Sequence, residues 1–322
     1  MEKVYLKEIA QLSDASVATV SKVLNHCSGV DRDTRDRVFR VADQLQVPAA
    51  EEAACELYLI TPEIPTFFWK ERIYTELLSA DRQFRCKYNV YTGLHSGPVL
   101  RYLREAKRLQ ARVVIAVCTP TAAEKALLAE LAGQSLVILL SEYADVCNTF
   151  YVGSDAEQDG FRLGRFFSGH YAGTPLILTD FENENCMARV RGFLRGAALD
   201  GLSPVPLPPY NKLFPAKVAA LLSRLPCAEQ YPVYSAAGML EEIELAAKKA
   251  GIYPKLVLLG HDVRRHTPQS RVAAAVNQRV EQQAQAALAM AAEYLKSGCC
   301  PEQKRVFIPS DFMAYAAGTQ PE

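Results

Sequence analysis

Between Lys7 and Leu12 apolar residues fall at Ile9, Ala10 and Leu12, and between Ser16 and Asn25 they fall at Val20, Val23 and Leu24. Each spacing puts one apolar stripe on a short helix. The Ser13-Asp14-Ala15 break between them reads as a tight turn. Ser16 is placed to accept an otherwise unpaired backbone N–H of the helix that follows, and Asp14 tolerates the left-handed conformation such turns need. A third helix is expected over Thr34–Leu45, with Val38, Val41, Ala42 and Leu45 inward and Arg35, Arg37 and Arg40 outward; Pro48 stops it. Two helices joined by a tight turn, with a third behind them, make a small helix-turn-helix unit.

From Leu57 onward the pattern changes to short apolar runs alternating with amphipathic stretches. Strands are expected at Leu57–Thr61, Tyr88–Tyr91, Val113–Val117, Leu136–Leu140 and Tyr151–Val152, with helices near Glu71–Phe84, Val99–Leu109, Ala122–Leu131 and Gly160–Ser168. A second series runs through strands Leu176–Thr179, Pro232–Ser235, Lys255–Leu259, Val272–Val276 and Val306–Ile308. Its helices are Ala188–Asp200, Ala216–Leu225, Glu241–Ala250 and Val280–Lys296. Such alternation means right-handed crossovers and parallel sheets, so the fold class is α/β, with two doubly wound units behind a small all-α domain. Ligands of such sheets bind at the carboxyl ends of the strands, which places a small-molecule site in the cleft between two lobes.

Composition changes this picture little. The 322 residues are 49% hydrophobic and 22% charged, and 36 Lys+Arg balance 36 Asp+Glu, as in an ordinary globular protein whose total charge names no partner. Apolar runs such as Val113–Val117 fall far short of the roughly 18 residues a membrane span needs, and the first residues lack a signal-peptide pattern. A cytosolic protein is expected, with no membrane association. The nine cysteines include no C-x-x-C pair and one vicinal pair, Cys299–Cys300, so free thiols are expected and neither a metal nor a cofactor. The sequence also lacks G-x-S-x-G, a P-loop, G-x-G-x-x-G after the first strand and H-E-x-x-H. His261 beside Asp262 has no candidate nucleophile with it and reads as a cleft-wall residue, so no enzyme is expected.

The first 47 residues carry a longer signature: Ile9-Ala10, the run Ser16-Val17-Ala18-Thr19-Val20-Ser21-Lys22-Val23-Leu24-Asn25, then Val30, Thr34-Arg35, Val38, Ala42 and Leu45. This stretch resembles the DNA-binding headpiece of the LacI/GalR family of transcription regulators. In a helix-turn-helix the second helix enters the major groove with its N-terminal side chains at base edges. Val17 and Ala18 then offer apolar contact to a thymine methyl, and Lys22 donates to guanine O6 or N7. Ser16, Thr19, Ser21 and Asn25 suit phosphates, and Thr34 and Arg35 complete the expected DNA-binding set. Seven Lys/Arg and seven Asp/Glu in residues 1–47 leave the footprint to placement, so the salt dependence of binding is expected to be modest.

The resemblance continues through Pro62-Glu63-Ile64, Phe68-Trp69, Val152-Gly153-Ser154-Asp155, Gly160, Gly169-His170, Arg189-Val190-Arg191-Gly192-Phe193, Gly260-His261-Asp262 and Asn277-Gln278. These look like the periplasmic-binding-protein-like effector core of the same family. The resemblance implies a DNA-binding domain at 1–47, a hinge at 48–57 and an effector core at 58–322. Lobe 1 would hold about 58–172 and 279–304, and lobe 2 about 173–278 and 305–322, with crossings near 171–174, 277–279 and 304–306. It also implies a homodimer on a palindromic operator, with a small polar effector, expected to be a sugar or derivative, in the cleft. Arg189 offers a fork of donors, Asp155 and Asp262 accept from hydroxyls, and Gln278 belongs to the same set, with a structural ion pair between the lobes the alternative for Arg189 and Asp262. Phe68, Trp69 or Tyr210 could stack on a sugar ring, with core packing the alternative for Trp69.

Departures from the family pattern matter. The linker Pro48–Leu57 carries Glu51, Glu52 and Glu56 where the family carries neutral or basic residues, and Cys55 stands at its minor-groove leucine. A shifted register using Leu57 and a linker that stays off the DNA are the alternatives. Ala236-Ala237-Gly238 replaces a usual Asn-Asp pair, and Phe312–Ala317 replaces a terminal arginine-serine signature. Glu182–Asn185 reads as a polar surface loop, with replacement ligand contacts as the other possibility. Besides a repressor, two functions stay open: an effector sensor with weakened DNA binding, and a cytosolic sugar-binding protein.

Overall fold

The computed structural model describes residues 2–24, 30–44, 55–62, 68–78, 84–91, 99–208, 212–225, 229–263 and 266–315. The chain forms two compact units, Met1–Ala53 and Ala54–Glu322.

The first unit holds α1 (Glu2–Leu12), α2 (Val17–Leu24) and α3 (Arg32–Gln44) around Ile9, Ala10, Val20, Val23, Val38 and Val41. Ser16 Oγ accepts the N–H of Thr19 at 3.0 Å and Asp14 sits at φ 50°, so cap and turn are built as their side chains allow. Asp31 caps α3 by accepting the N–H of Thr34 at 2.9 Å, which starts that helix earlier than the apolar spacing implied. Leu12 corrects its expected inward position: it is 60% exposed. Ser13 turns back to bond the carbonyl of Ile9, so the buried stripe of α1 runs through Ile9, Ala10 and Ser13 instead.

Among the described residues the second unit contains two six-stranded sheets. The first pairs β1 (Leu57–Pro62), β2 (Cys86–Tyr91), β3 (Val113–Ala116), β4 (Leu136–Leu140), β5 (Phe150–Gly153) and β11 (Arg305–Phe307) in the order β11-β5-β4-β3-β1-β2, all parallel. Because alternate strand residues face opposite sides, Leu57 and Leu59 enter one apolar layer, while Tyr58 and Ile60 enter the other. The first layer is covered by α4 (Phe68–Leu78) and α11 (Val280–Ser297), the second by α5 (Val99–Arg108) and α6 (Ala122–Leu131).

The second sheet runs β12-β10-β9-β8-β6-β7, from β6 (Leu176–Thr179), β7 (Val205–Pro206), β8 (Tyr231–Ser235), β9 (Leu256–His261), β10 (Val272–Asn277) and β12 (Asp311–Ala314). Its one antiparallel strand is β12, which pairs with β10. The helices α7 (Ala156–His170) and α8 (Glu184–Ala197) cover one face, and α9 (Phe214–Leu222) and α10 (Leu240–Lys249) cover the other. Both α7 and α8 begin a turn before the expected residue, because Asp155 and Asn183 accept the N–H groups of Gln158 and Cys186.

The lobe boundaries correct two of the three expected crossings. Leu163 and Phe167 of α7 are buried with Phe193 and Ile177 in the second lobe, so the first crossing lies between Gly153 and Ala156, not at 171–174. The strand β11 pairs with β5, which moves the third crossing to between Phe307 and Asp311. The second falls between Asn277 and Val280, since β10 belongs to one sheet and α11 covers the other. Lobe 1 therefore comprises about 55–153 and 280–307, and lobe 2 about 156–277 and 311–315.

Candidate functional site

The carboxyl ends of the strands are polar in both lobes: Thr61 is the last residue of β1 but one, Ser141 follows β4, Ser154 follows β5, Thr179 ends β6, Ser235 ends β8, and His261 ends β9 with Asp262 after it. All but Asp262 are buried. Ser141 and Asp262 adopt positive φ, 64° and 58°, an uncommon conformation for such residues that turns the chain sharply at the strand end.

Asp262 is the hub on the second lobe. Its Oδ1 accepts the backbone N–H of Gln278 at 3.0 Å and its Oδ2 accepts Nε2 of the same residue at 2.7 Å. Ser154 Oγ donates to Gln278 Oε1 at 3.2 Å, so the first and second crossings are tied through one buried amide. Arg189, on the inward face of α8, is buried and donates from Nη1 to the carbonyl of Ala236 at 2.9 Å. The missing Asn-Asp pair thus leaves a backbone carbonyl that this guanidinium uses. Burial pushes the carboxyls of Asp262 and Asp159 above the ordinary aspartate range, and the Arg189 charge pulls both back. His261 Nε2 bonds the hydroxyl of Tyr234 at 3.0 Å, and burial holds its imidazole neutral.

Among the described residues, several buried polar atoms have no hydrogen-bond partner: Thr61 Oγ1, Thr179 Oγ1, Arg189 Nε, His261 Nδ1 and Gln283 Nε2. Three of these belong to residues that end strands, and a buried donor or acceptor left unpaired costs about 1–3 kcal/mol. Hydroxyls of a bound molecule are the chemistry that would satisfy such groups.

Sequence reasoning missed the first turn of α8. Asn183, Glu184 and Asn185, read as a surface loop, lie against lobe 1. Asn183 Nδ2 donates to Glu142 Oε2 at 2.8 Å and to Thr119 Oγ1 at 3.2 Å. Glu184 pairs with Lys125 and accepts the N–H of Asp145, while Asn185 Nδ2 donates to the carbonyl of Ser141 at 2.6 Å. Ser141 Oγ in turn bonds Gln283 on α11. The polar stretch Glu182–Asn185 ahead of an apolar run was the available signal, since such residues cap helices.

The other expected effector residues are placed as follows. Asp155 is exposed and holds the N-cap of α7, with Oδ1 accepting the N–H of Gln158 at 2.9 Å. Phe68 and Trp69 open α4; their side chains, and the whole of Tyr210, lie outside the described residues. Arg189, Asp262 and Gln278 are brought together, and Asp155 stands apart as a cap.

In the first unit, Val17 and Ala18 are exposed at the start of α2, and Ser16 Oγ lies 2.8 Å from Thr19 Oγ1. Thr34 Oγ1 accepts from Arg37 Nη2 at 3.2 Å on α3, whose Arg35 is neither fully buried nor fully exposed. Ser21 and Lys22 sit on α2, with side chains outside the described residues, as are Asn25 and most of the 48–57 linker with its glutamates Glu51 and Glu52. Among the described residues no three His, Cys, Asp or Glu side chains form a metal set, and no helix is long and apolar enough to cross a membrane.

Comparison with known proteins agrees with both units. Residues 5–46 match the family described as bacterial regulatory proteins, lacI family. No curated protein matches the chain in sequence. Among solved structures, GanP, a glucose-galactose binding protein from Geobacillus stearothermophilus, superposes with a TM-score of 0.70 at 17% identity, covering 84% of this chain and 100% of that one. A carbohydrate transporter solute binding protein from Agrobacterium radiobacter, in complex with D-arabinose, gives 0.68 at 17%, covering 84% and 98%. The lac repressor dimer, bound to operator and the anti-inducer ONPF, gives 0.62 at 15% and covers 97% of both chains. The chain joins a segment, residues 5–46, that matches the lacI family of bacterial regulatory proteins to a two-lobed core with the fold of the sugar-binding proteins above.

Proposed function

We propose that the protein is a sugar-responsive transcription repressor that works in the cytoplasm, binding a palindromic operator as a homodimer. The observation that carries this reading is the coupling, in one chain, of a lacI-family helix-turn-helix to a core whose strand ends hold buried, unpaired polar atoms. The N-terminal residues of α2, from Ser16 to Lys22, are assigned to bases and phosphates, with Asn25, Thr34 and Arg35 on the backbone. Arg189, Asp262 and Gln278 are assigned to the effector, with Thr61 and Thr179 as added partners and Phe68, Trp69 and Tyr210 as stacking candidates. Asp155 is assigned to the helix cap in place of ligand contact. The role is binding and not catalysis: His261, the residue nearest to acid-base chemistry, is buried, held neutral and bonded to Tyr234.

Regulation follows from linkage. An effector that binds closed lobes better than open ones shifts the equilibrium that sets the spacing of two headpieces, by no more than its difference in binding free energy for the two states. Selection of bound sequences from a random duplex pool by the full-length protein, repeated across salt, tests the reading. A two-fold symmetric sequence is expected, and titration of that complex with monosaccharides should release or tighten it. A folded protein that enriches no sequence, with or without sugar, would overturn the operator assignment and leave the sensor reading, which the acidic Glu51 and Glu52 of the linker favour.

A further inference from the structure

A cavity of about 450 Å³ opens beside the first crossing, on the side of α8 away from Arg189. Its volume is that of a small-molecule pocket; Ser154, one of the strand-end groups, forms part of its wall, but Arg189, Asp262 and Gln278 do not line it. Lobe 1 contributes Tyr143, Arg305 and Phe307; lobe 2 contributes Phe181, Arg191 and Arg195.

Two properties of the walls are unusual. Phe181 and Phe307 are each 48% exposed, and these two large apolar side chains face the same cavity from opposite lobes. The wall's three carboxylates, Asp155, Glu157 and Glu184, equal its three guanidiniums in number, but the carboxylates are engaged by other partners. Asp155 is held at the cap of α7, and Glu184 is held by Lys125. The remaining carboxylate, Glu157, is shared by Arg195 and, at 3.7 Å, by Arg191. Arg305 stacks over the Tyr143 ring at 4.5 Å and donates to its hydroxyl, a neutral partner. Arg305 thus meets the cavity with a neutral partner, beside Arg191 whose contact to Glu157 is long, and the planar fork of an arginine matches the two oxygens of a carboxylate.

We propose that this cavity is a second ligand site, adjoining the strand-end cleft at Ser154 but apart from Arg189, Asp262 and Gln278, for a flat organic carboxylate, its ring between Phe181 and Phe307 and its charge on Arg191 and Arg305. Such a ligand touches both lobes next to two crossings, so it binds the closed arrangement better than an open one and acts as a second input on the same equilibrium. The inference goes beyond the sugar-responsive reading and is tested without sugar or DNA.

The probe is 4-hydroxyphenylacetate, titrated calorimetrically into the full chain beside its uncharged amide. Saturable binding of the acid is expected, about tenfold tighter than the amide. Arg305→Gln and Phe181→Ala, both exposed positions, should each weaken it about tenfold while the melting temperature of the unliganded protein stays in place. Equal binding of acid and amide, no binding of either, or binding that survives both substitutions would overturn the proposal. So would weakening by Gln278→Ala alone, which would place the probe among the strand ends.

Discussion

His261 is buried with one ring nitrogen on Tyr234 and the other without a partner among the described residues. Burial first, and then the Arg189 charge, holds its pKa well below the usual 6.5. The unfolded chain therefore binds the proton that the folded one refuses as pH falls below 6.5. The stability that comes from keeping this imidazole neutral is whole above that pH and is lost below it, by about 1.4 kcal/mol per pH unit. Urea unfolding at pH 7, 6 and 5 should show a shallower pH slope in His261→Gln; an identical slope would mean that the imidazole charges without unfolding. Arg189→Ala should remove the sugar response while the operator is still bound, checked by operator titration with and without sugar, and a normal response in that variant would release Arg189 from the cleft. Lys22→Ala should cost about 1–3 kcal/mol of specific operator binding, and preserved discrimination between operator and mutated half-sites would remove it as a base reader. Legibility at this scale depended on sequence distance. The Ser16 cap and the turn at Asp14 are settled by neighbours within three residues, whereas Asn183 reads as a loop residue because its partners Glu142 and Thr119 are 41 and 64 positions away.

At the scale of elements, α7 and α8 pack almost backbone to backbone. A Cβ on Gly192 would stand 1.9 Å from the carbonyl oxygen of Glu157, and one on Gly160 would stand 2.0 Å from that of Arg189. No side chain can move aside to relieve such a contact, because the obstruction is main chain. Gly192→Ala is therefore expected to destabilise the protein by about 3 kcal/mol, read as a lower urea midpoint with unchanged slope. A midpoint within error of the parent would show that the two helices separate freely. This packing also explains why the first crossing was misplaced. The apolar period of α7 announces a helix but not which sheet it covers, and glycines at Gly160 and Gly164 carry no apolar signal at all. The short strands Val205–Pro206 and Asp311–Ala314 were illegible for a related reason: one has two residues, and the other is an exposed edge without buried alternation.

For the whole molecule, the first turn of α8 is a latch across the cleft, made of Asn183 on Glu142 and Thr119 and Glu184 on Lys125. The ion pair is half-exposed and contributes at most about 1 kcal/mol, so the latch biases lobe closure without locking it. Asn183→Ala combined with Lys125→Ala should raise the radius of gyration of the sugar-free protein in solution scattering. Saturating sugar should return it to the parent value. Scattering and sugar affinity both equal to the parent's would show that closure does not depend on these contacts. The two-lobed α/β plan was legible because alternation of strand and helix repeats over many residues. The latch was not, since it exists only once the lobes face each other.

The two late strands also set an order of manufacture. Residues 305–307 complete the edge of one sheet and residues 311–314 the edge of the other, whereas the first compact unit ends at Ala53. During synthesis, which proceeds from the N-terminus, the helix-turn-helix can fold while both lobes still lack a strand. A nascent chain thus carries a complete first unit before either lobe is complete, and a message cut short within α11 would yield that unit with two lobes each lacking an edge strand.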